Sequence, residues 1–209
     1  MTGYSRGEAP DWLNVSRETL AHLDEFLALV EKWQPAINLI AKGTIPVAWE
    51  RHVLDSAQLF EFSPDTAAHW VDFGSGGGFP GIVVAIIARE KRPGLKTTLV
   101  EADKRKAAFL MQAARQLGLT VSMVTDRAEA LAPLAADVVS ARALAALPDL
   151  CALAAPHLNL GGVAIFPKGR HAEVELAAAR LNWRFDASLA VSKTDSTGRI
   201  VTLTNLNHV

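Results

Sequence analysis

The sequence predicts an α/β fold: a doubly wound, mostly parallel sheet with an antiparallel C-terminal edge and an N-terminal helical cap. Three observations predict it. From Trp70 onward, short apolar runs alternate with helical patterns, as parallel strands joined by crossover helices do. The first strand runs into a glycine cluster, WVDFGSGGGFPG, and then into the apolar helix IVVAIIA. The last two strand-like runs have no helix between them, which adds an antiparallel pair at one edge.

Ahead of the sheet, residues 1–60 read as a helical cap without independent domain status, and residues 61–209 as the sheet-bearing domain. Residues 1–15, with Gly3, Gly7 and Pro10, read as a loose arm. Ser16 is placed to cap a helix in which Leu20, Leu23, Phe26, Leu27, Val30 and Trp33 recur at helical spacing, ended by Pro35. Thr44 is expected to cap a second helix reaching Phe60, with Pro46 in its first turn. His52 and Asp55 lie three apart on one face of it; with no third partner or nucleophile they read as a packing pair. Strands are expected at 70–73, 97–100, 120–124 and 137–140, and from Gly161-Gly162 through VAIFPKG. Helices are expected at 81–89, 104–117, 147–158 and 170–181, and the closing strands at 185–191 and 200–204.

Bulk composition narrows the class. A chain of 209 residues, 50% apolar and 21% charged, suits one globular domain with a full core. A net charge of -1 argues against a strongly basic nucleic-acid binder but leaves room for a local basic patch. The longest apolar runs fall short of a membrane span, and Met1 is followed by polar residues rather than a secretory leader. One cysteine makes no intrachain disulfide and fits a reducing cytoplasm; Cys151, at helical spacing with Leu147, Leu150 and Leu158, reads as core. The six histidines show no metal-ligand spacing, and a monomer is expected.

The chemistry-bearing residues gather where strands end. Gly74, Gly76, Gly77 and Gly78 provide a turn that a ligand can approach on bare backbone, followed by the free N–H groups of a helix start. Glu101 ends the next strand, where a carboxylate can accept hydrogen bonds from both hydroxyls of a ribose. Two features weigh against NAD: the glycines form GSGGG rather than G-x-G-x-x-G, and Phe79-Pro80 crowds the place a pyrophosphate needs. S-adenosylmethionine has no pyrophosphate, and its adenine can lie against the loop Asp126-Arg127-Ala128-Glu129 after the third strand. Asp72 either fixes the glycine turn or reaches the amino group of that cofactor. Arg127, Arg142 and Lys168 follow strands at the same edge, where they can clamp carboxylate or phosphate or reach a purine O6. Lys104-Arg105-Lys106 is either a solvated run or a local RNA contact.

Taken together, NLIAKG, ERHVLDS, VDFGSGGGFPGIVVAI, KRKAAFL, VVSARA and FPKG, in this order, resemble the RsmG (GidB) family of bacterial small-subunit ribosomal RNA methyltransferases over roughly residues 15–205. The glycine segment alone marks a class I methyltransferase, a Rossmann-like fold; RHVLDS, SARA and PKG make the resemblance specific. It implies S-adenosylmethionine-dependent methylation of guanine N7 in a conserved loop of 16S rRNA, with 16S rRNA or the small ribosomal subunit as partner. It places cofactor contacts at Gly74, Phe79, Ala128, Glu129 and Arg142, to which the reading of the residues adds Asp72, Gly76, Gly78 and Glu101. Arg127 and Lys168 are the candidates on the substrate side. The last five residues, NLNHV, lack the basic character common in relatives. The competing expectations are a methyltransferase acting on a small molecule and a non-catalytic RNA- or protein-binding module.

Overall fold

The computed structural model describes residues 9–209. In chain order the described residues form α1 (Arg17–Trp33), α2 (Asp55–Ala57), β1 (His69–Phe73), α3 (Gly81–Lys91), β2 (Lys96–Val100), α4 (Lys104–Gln116), β3 (Val121–Val124), β4 (Ala136–Ala141), α5 (Leu147–Ala154), β5 (Leu158–Lys168), α6 (Ala172–Ala179), β6 (Trp183–Val191) and β7 (Arg199–His208). All seven strands join one sheet in the order β3-β2-β1-β4-β5-β7-β6. The first five pair in parallel, and β7 and β6 add antiparallel to β5. The strand order reverses between β1 and β4. Sheets of this class open a crevice at the carboxyl ends of the strands flanking such a reversal. The glycine turn follows β1 and Arg142 follows β4, so the topology alone sets them on either side of it.

The cap is fastened to the sheet domain by apolar packing. α1 begins at Ser16, whose side chain accepts from the Thr19 N–H at 3.1 Å, and its helix ends at Trp33, ahead of Pro35. It buries Leu23, Phe26, Leu27 and Val30 in the same core as Ile82, Val83, Ile86 and Ile87 of α3. Covered by the cap on one side and the sheet on the other, α3 is buried from Gly81 through Ala88, which is why its sequence is apolar all round. Burial of this kind contributes about 1.5–3 kcal/mol for each large side chain.

Three expectations are corrected here. Of the arm, residues 1–8 lie outside the described residues, while Asp11–Leu13 form a docked 3₁₀ turn with Leu13 buried. The second cap helix is not one regular helix but a 3₁₀ turn (Lys42–Val47), a π-helical turn (Trp49–Leu54), α2 and another 3₁₀ turn (Gln58–Phe62). Pro46 removes a donor early in this run, and Thr44 bonds the Ala41 carbonyl and His52 instead of capping free N–H groups. α5 stops at Ala154 rather than 158, because Pro156 cannot donate, and Ala155–His157 close as a 3₁₀ turn. Cys151 is fully buried.

Candidate active site

Two cavities open at the carboxyl edge of the sheet and share a wall. The first, about 740 Å³, is lined by Gly74, Gly76, Glu101 and the loop Asp126–Glu129. The second, about 590 Å³, is lined by cap residues Thr44, Arg51, His52 and Asp55 and by Lys168, Asp195 and Arg199 from the β5–β7 side. Gly74, Gly76, Lys106, Arg142 and Ala143 face both.

The first cavity is built from backbone and one carboxylate. Gly76 takes a φ of 55°, in the region that favours glycine, which turns its N–H onto Glu101 Oε2 at 2.8 Å. The other Glu101 oxygen accepts from the Asp103 N–H at 2.8 Å. Glu101 is thus held at both oxygens by backbone donors, and each oxygen keeps a lone pair for a ligand hydroxyl. Ala128 is buried and opens a 3₁₀ turn through Ala130, with Arg127 at its N-cap position and exposed.

Three residues assigned to cofactor binding from the sequence do not line the first cavity. Asp72 is fully buried and lines neither cavity. It accepts from Ser140 Oγ at 2.7 Å and the Gly81 N–H at 3.1 Å, while Trp70 Nε1 donates to Ser140 Oγ at 2.8 Å. Its role is to lock the end of β1 to β4 and to the start of α3. Burial raises its pKa to about 6 against the opposing hydrogen bonds. Gly78 is the second case. Its φ is 91°, and a Cβ there would lie 2.7 Å from Phe26 Cζ, so the cap rather than a ligand demands glycine. Phe79 is the third: it lines the second cavity, not the first, and packs in tilted contact between Phe26 (5.1 Å between centroids) and His52 (5.2 Å).

Arg142 is the most constrained cation at the shared wall. Nη1 donates to the Arg51 carbonyl at 3.0 Å and lies 3.6 Å from Asp55 Oδ2; Nη2 donates to His52 Nδ1 at 2.8 Å. The guanidinium also sits over the Phe79 ring at 5.3 Å. Burial lowers its pKa, and the Asp55 and Asp72 carboxylates counter that shift. Since an arginine only donates, Nδ1 of His52 is the acceptor and the ring carries its proton on Nε2, 2.7 Å from Thr44 Oγ1. Burial, with Arg142 and Arg51 close by, depresses the His52 pKa to about 3.

A profile described as GidB, rRNA small subunit methyltransferase G, matches residues 19–200. The chain belongs to the rRNA small subunit methyltransferase G family. It is 52% identical over 197 residues to a "Ribosomal RNA small subunit methyltransferase G" of Cereibacter sphaeroides, covering 94% of this chain and 96% of that one. A protein of the same description from Ruegeria pomeroyi is 44% identical, with coverage of 94% and 96%. In fold the chain resembles the O-methyltransferase of Bacillus cereus in complex with SAH, with a TM-score of 0.59, 18% identity and coverage of 93% and 94%. The class I methyltransferase fold, with its antiparallel edge, is therefore that of this family member.

In this methyltransferase G family protein the two substrate-side candidates fall in different cavities. Arg127 lines the first and Lys168 the second. Lys168 Nζ is engaged by Glu175 at 2.6 Å and the Ala145 carbonyl at 3.0 Å, while Glu175 also accepts from the Leu147 N–H at 2.8 Å. Of the basic run, Lys106 lines both cavities, whereas Lys104 and Arg105 are exposed. The reading of His52 and Asp55 as a packing pair is corrected: both grip Arg142 across 90 and 87 positions of chain. Their spacing on one helix face was visible in the sequence; the partner was not. Thr44, Gln58, Ser192 and Thr194 carried no site signal at all.

Proposed function

We propose that this chain transfers a methyl group from S-adenosylmethionine to N7 of a guanine in 16S rRNA. The cofactor is assigned to the first cavity and the extruded guanine to the second. One observation carries the assignment: the two cavities share a wall formed by Gly74, Gly76, Lys106, Arg142 and Ala143, where an occupant of one can meet an occupant of the other. Family membership supplies the reaction class.

The residues fit the cofactor. Gly74 and Gly76 leave backbone open beside a carboxylate already oriented for a ribose, and the Asp126–Glu129 loop offers backbone groups and a small buried Ala128 for an adenine edge. When bound, S-adenosylmethionine supplies an electrophilic methyl on a sulfonium centre and leaves as a neutral thioether. Guanine N7 has a lone pair and no proton, so no side chain of this protein needs to accept one. What the chain contributes is orientation and exclusion of water.

The transferred methyl leaves the purine cationic, so unpaired positive charge around it opposes the reaction. Three cations of the second cavity are paired with carboxylates: Arg142 with Asp55, Lys168 with Glu175 at 2.6 Å, and Arg51 with Asp195 at 3.2 Å. These three can thus orient O6 or phosphate oxygens with less net repulsion of the product than unpaired cations would exert. Residues 1–60 are read as the cap closing this cavity and 61–209 as the methyltransferase domain, acting as a cytoplasmic monomer. Among the described residues no helix is long and apolar enough to cross a membrane.

The test is a methylation assay offering purified small subunits, naked 16S rRNA and small-molecule acceptors, with mass mapping of the rRNA product. Methyl found on one guanine N7 supports the reading. Methylation confined to small acceptors, or of another base atom, overturns it.

A further inference from the structure

The cap and the β6–β7 turn are joined by a polar network that ends on Arg142. Gln58 is fully buried. Its Nε2 donates to Asp55 Oδ1 at 3.0 Å and Ser192 Oγ at 3.0 Å, and its Oε1 accepts from the Lys193 N–H at 2.9 Å. Thr194 Oγ1 donates to the same Asp55 Oδ1 at 2.9 Å. The other carboxylate oxygen, Oδ2, faces Arg142 Nη1 at 3.6 Å. One oxygen of Asp55 therefore faces the turn, and the other faces the cation at the wall between the cavities.

We infer that Asp55 is a positioning residue: it holds the Arg142 guanidinium at the common wall, and it is itself held by Gln58 and by Thr194 of the Ser192–Gly198 turn. The turn thereby reaches the site through one carboxylate. A fully buried amide and a half-buried carboxylate are costly to desolvate, and a network of this kind keeps its geometry only while each member is satisfied. Loss of Thr194 leaves Oδ1 held by Gln58 alone, which loosens the carboxylate and with it the second oxygen's hold on Arg142. The turn also lines the second cavity through Ser192, Asp195 and Gly198, so an acceptor that presses on it acts on the same carboxylate. The kinetic consequences rest on the methyl-transfer reading; the positioning of Arg142 does not.

The experiment is a double-mutant cycle with two readouts. Asp55→Asn and Thr194→Val are made in the wild-type chain and in Arg142→Lys, and kcat and KM are measured with small ribosomal subunits. The NMR signals of the Arg142 Nη groups are followed in the Arg142-containing chains. Asp55→Asn is expected to lower kcat by roughly tenfold or more, and Thr194→Val by about threefold, with both losses shrinking to under about twofold in Arg142→Lys. The Arg142 Nη signals, distinct in the wild type, are expected to average in Asp55→Asn and to broaden in Thr194→Val. Losses that persist undiminished in Arg142→Lys, or Nη signals unchanged in both variants, overturn the inference. If the wild-type chain transfers no methyl, the methyl-transfer reading fails and the NMR arm alone decides on Asp55. Should Asp55→Asn not fold, Thr194→Val carries the test.

Discussion

Arg142 Nη2 lies 2.8 Å from His52 Nδ1, which fixes the imidazole as a neutral acceptor. Protonation would set a second cation against Arg142, and the pKa is accordingly pushed down to about 3. A native pKa below the unfolded value of 6.5 means that the unfolded chain binds the proton first. The stability this neutral ring contributes is fully present above about pH 6.5 and is lost as pH falls toward about 3, on the order of a few kcal/mol. His52→Gln is expected to lose that dependence relative to the wild type in urea titrations across this range.

Asp72 carries the opposite sign. Its native pKa of about 6 lies above the ordinary 3.8, so the native state binds the proton first. Its contribution is fully present below about pH 4 and is lost as pH rises through about 6, again on the order of a few kcal/mol. Between about pH 4 and pH 6 the two groups oppose each other. Asp72→Asn should therefore gain stability with rising pH more steeply than the wild type, and His52→Gln less steeply. The two slopes, measured by urea denaturation, check both assignments.

Gly78 and Gly76 should respond differently to alanine. At Gly78 the new Cβ meets Phe26 at 2.7 Å and Ile82 at 2.9 Å on a backbone with φ of 91°, so Gly78→Ala is expected to cost about 2–4 kcal/mol. At Gly76 the nearest atom to a new Cβ is the Gly74 carbonyl oxygen at 3.6 Å, and strain alone costs about 1 kcal/mol. Gly76→Ala should instead reduce affinity for S-adenosylmethionine, read by calorimetry on the folded variant.

Glu101→Gln replaces one of two acceptor oxygens with a donor. The Gly76 and Asp103 N–H groups both require acceptors, so one loses its bond and the turn loosens. We expect S-adenosylmethionine affinity to fall by roughly tenfold or more, with a thermal midpoint lowered by only a few degrees. Unchanged affinity in calorimetry would remove Glu101 from the cofactor site.

Ala143 sits at the shared wall with a φ of 52°, a conformation that disfavours any side chain. Ala143→Gly is expected to relieve this and raise stability by about 0.5–1 kcal/mol, while loosening the link that aims Arg142. Higher unfolding free energy together with lower methyl-transfer activity is the expected pair of outcomes; a gain in both would deny the strain a role.

The sequence by itself determined the sheet, its parallel and antiparallel parts, the glycine turn and the carboxylate beyond β2. These are local statements: apolar alternation, glycine where φ turns positive, and charge at strand ends are set by neighbours in the chain. It determined the family for the same reason, since short motifs in a fixed order survive in one dimension. Tertiary structure alone decided which way the side chains face. Asp72 and Gly78 lie within six residues of each other in the glycine segment, yet both are taken up by packing, one against Ser140 and the other against Phe26. His52 and Asp55 read as a quiet helix-face pair until the fold brings Arg142 to them from the end of β4. Likewise Thr194 acquires its role only because β6 and β7 fold back beside the cap. A hydrogen bond between residues 139 apart depends on the path of the whole intervening chain, and no local pattern of residues encodes it.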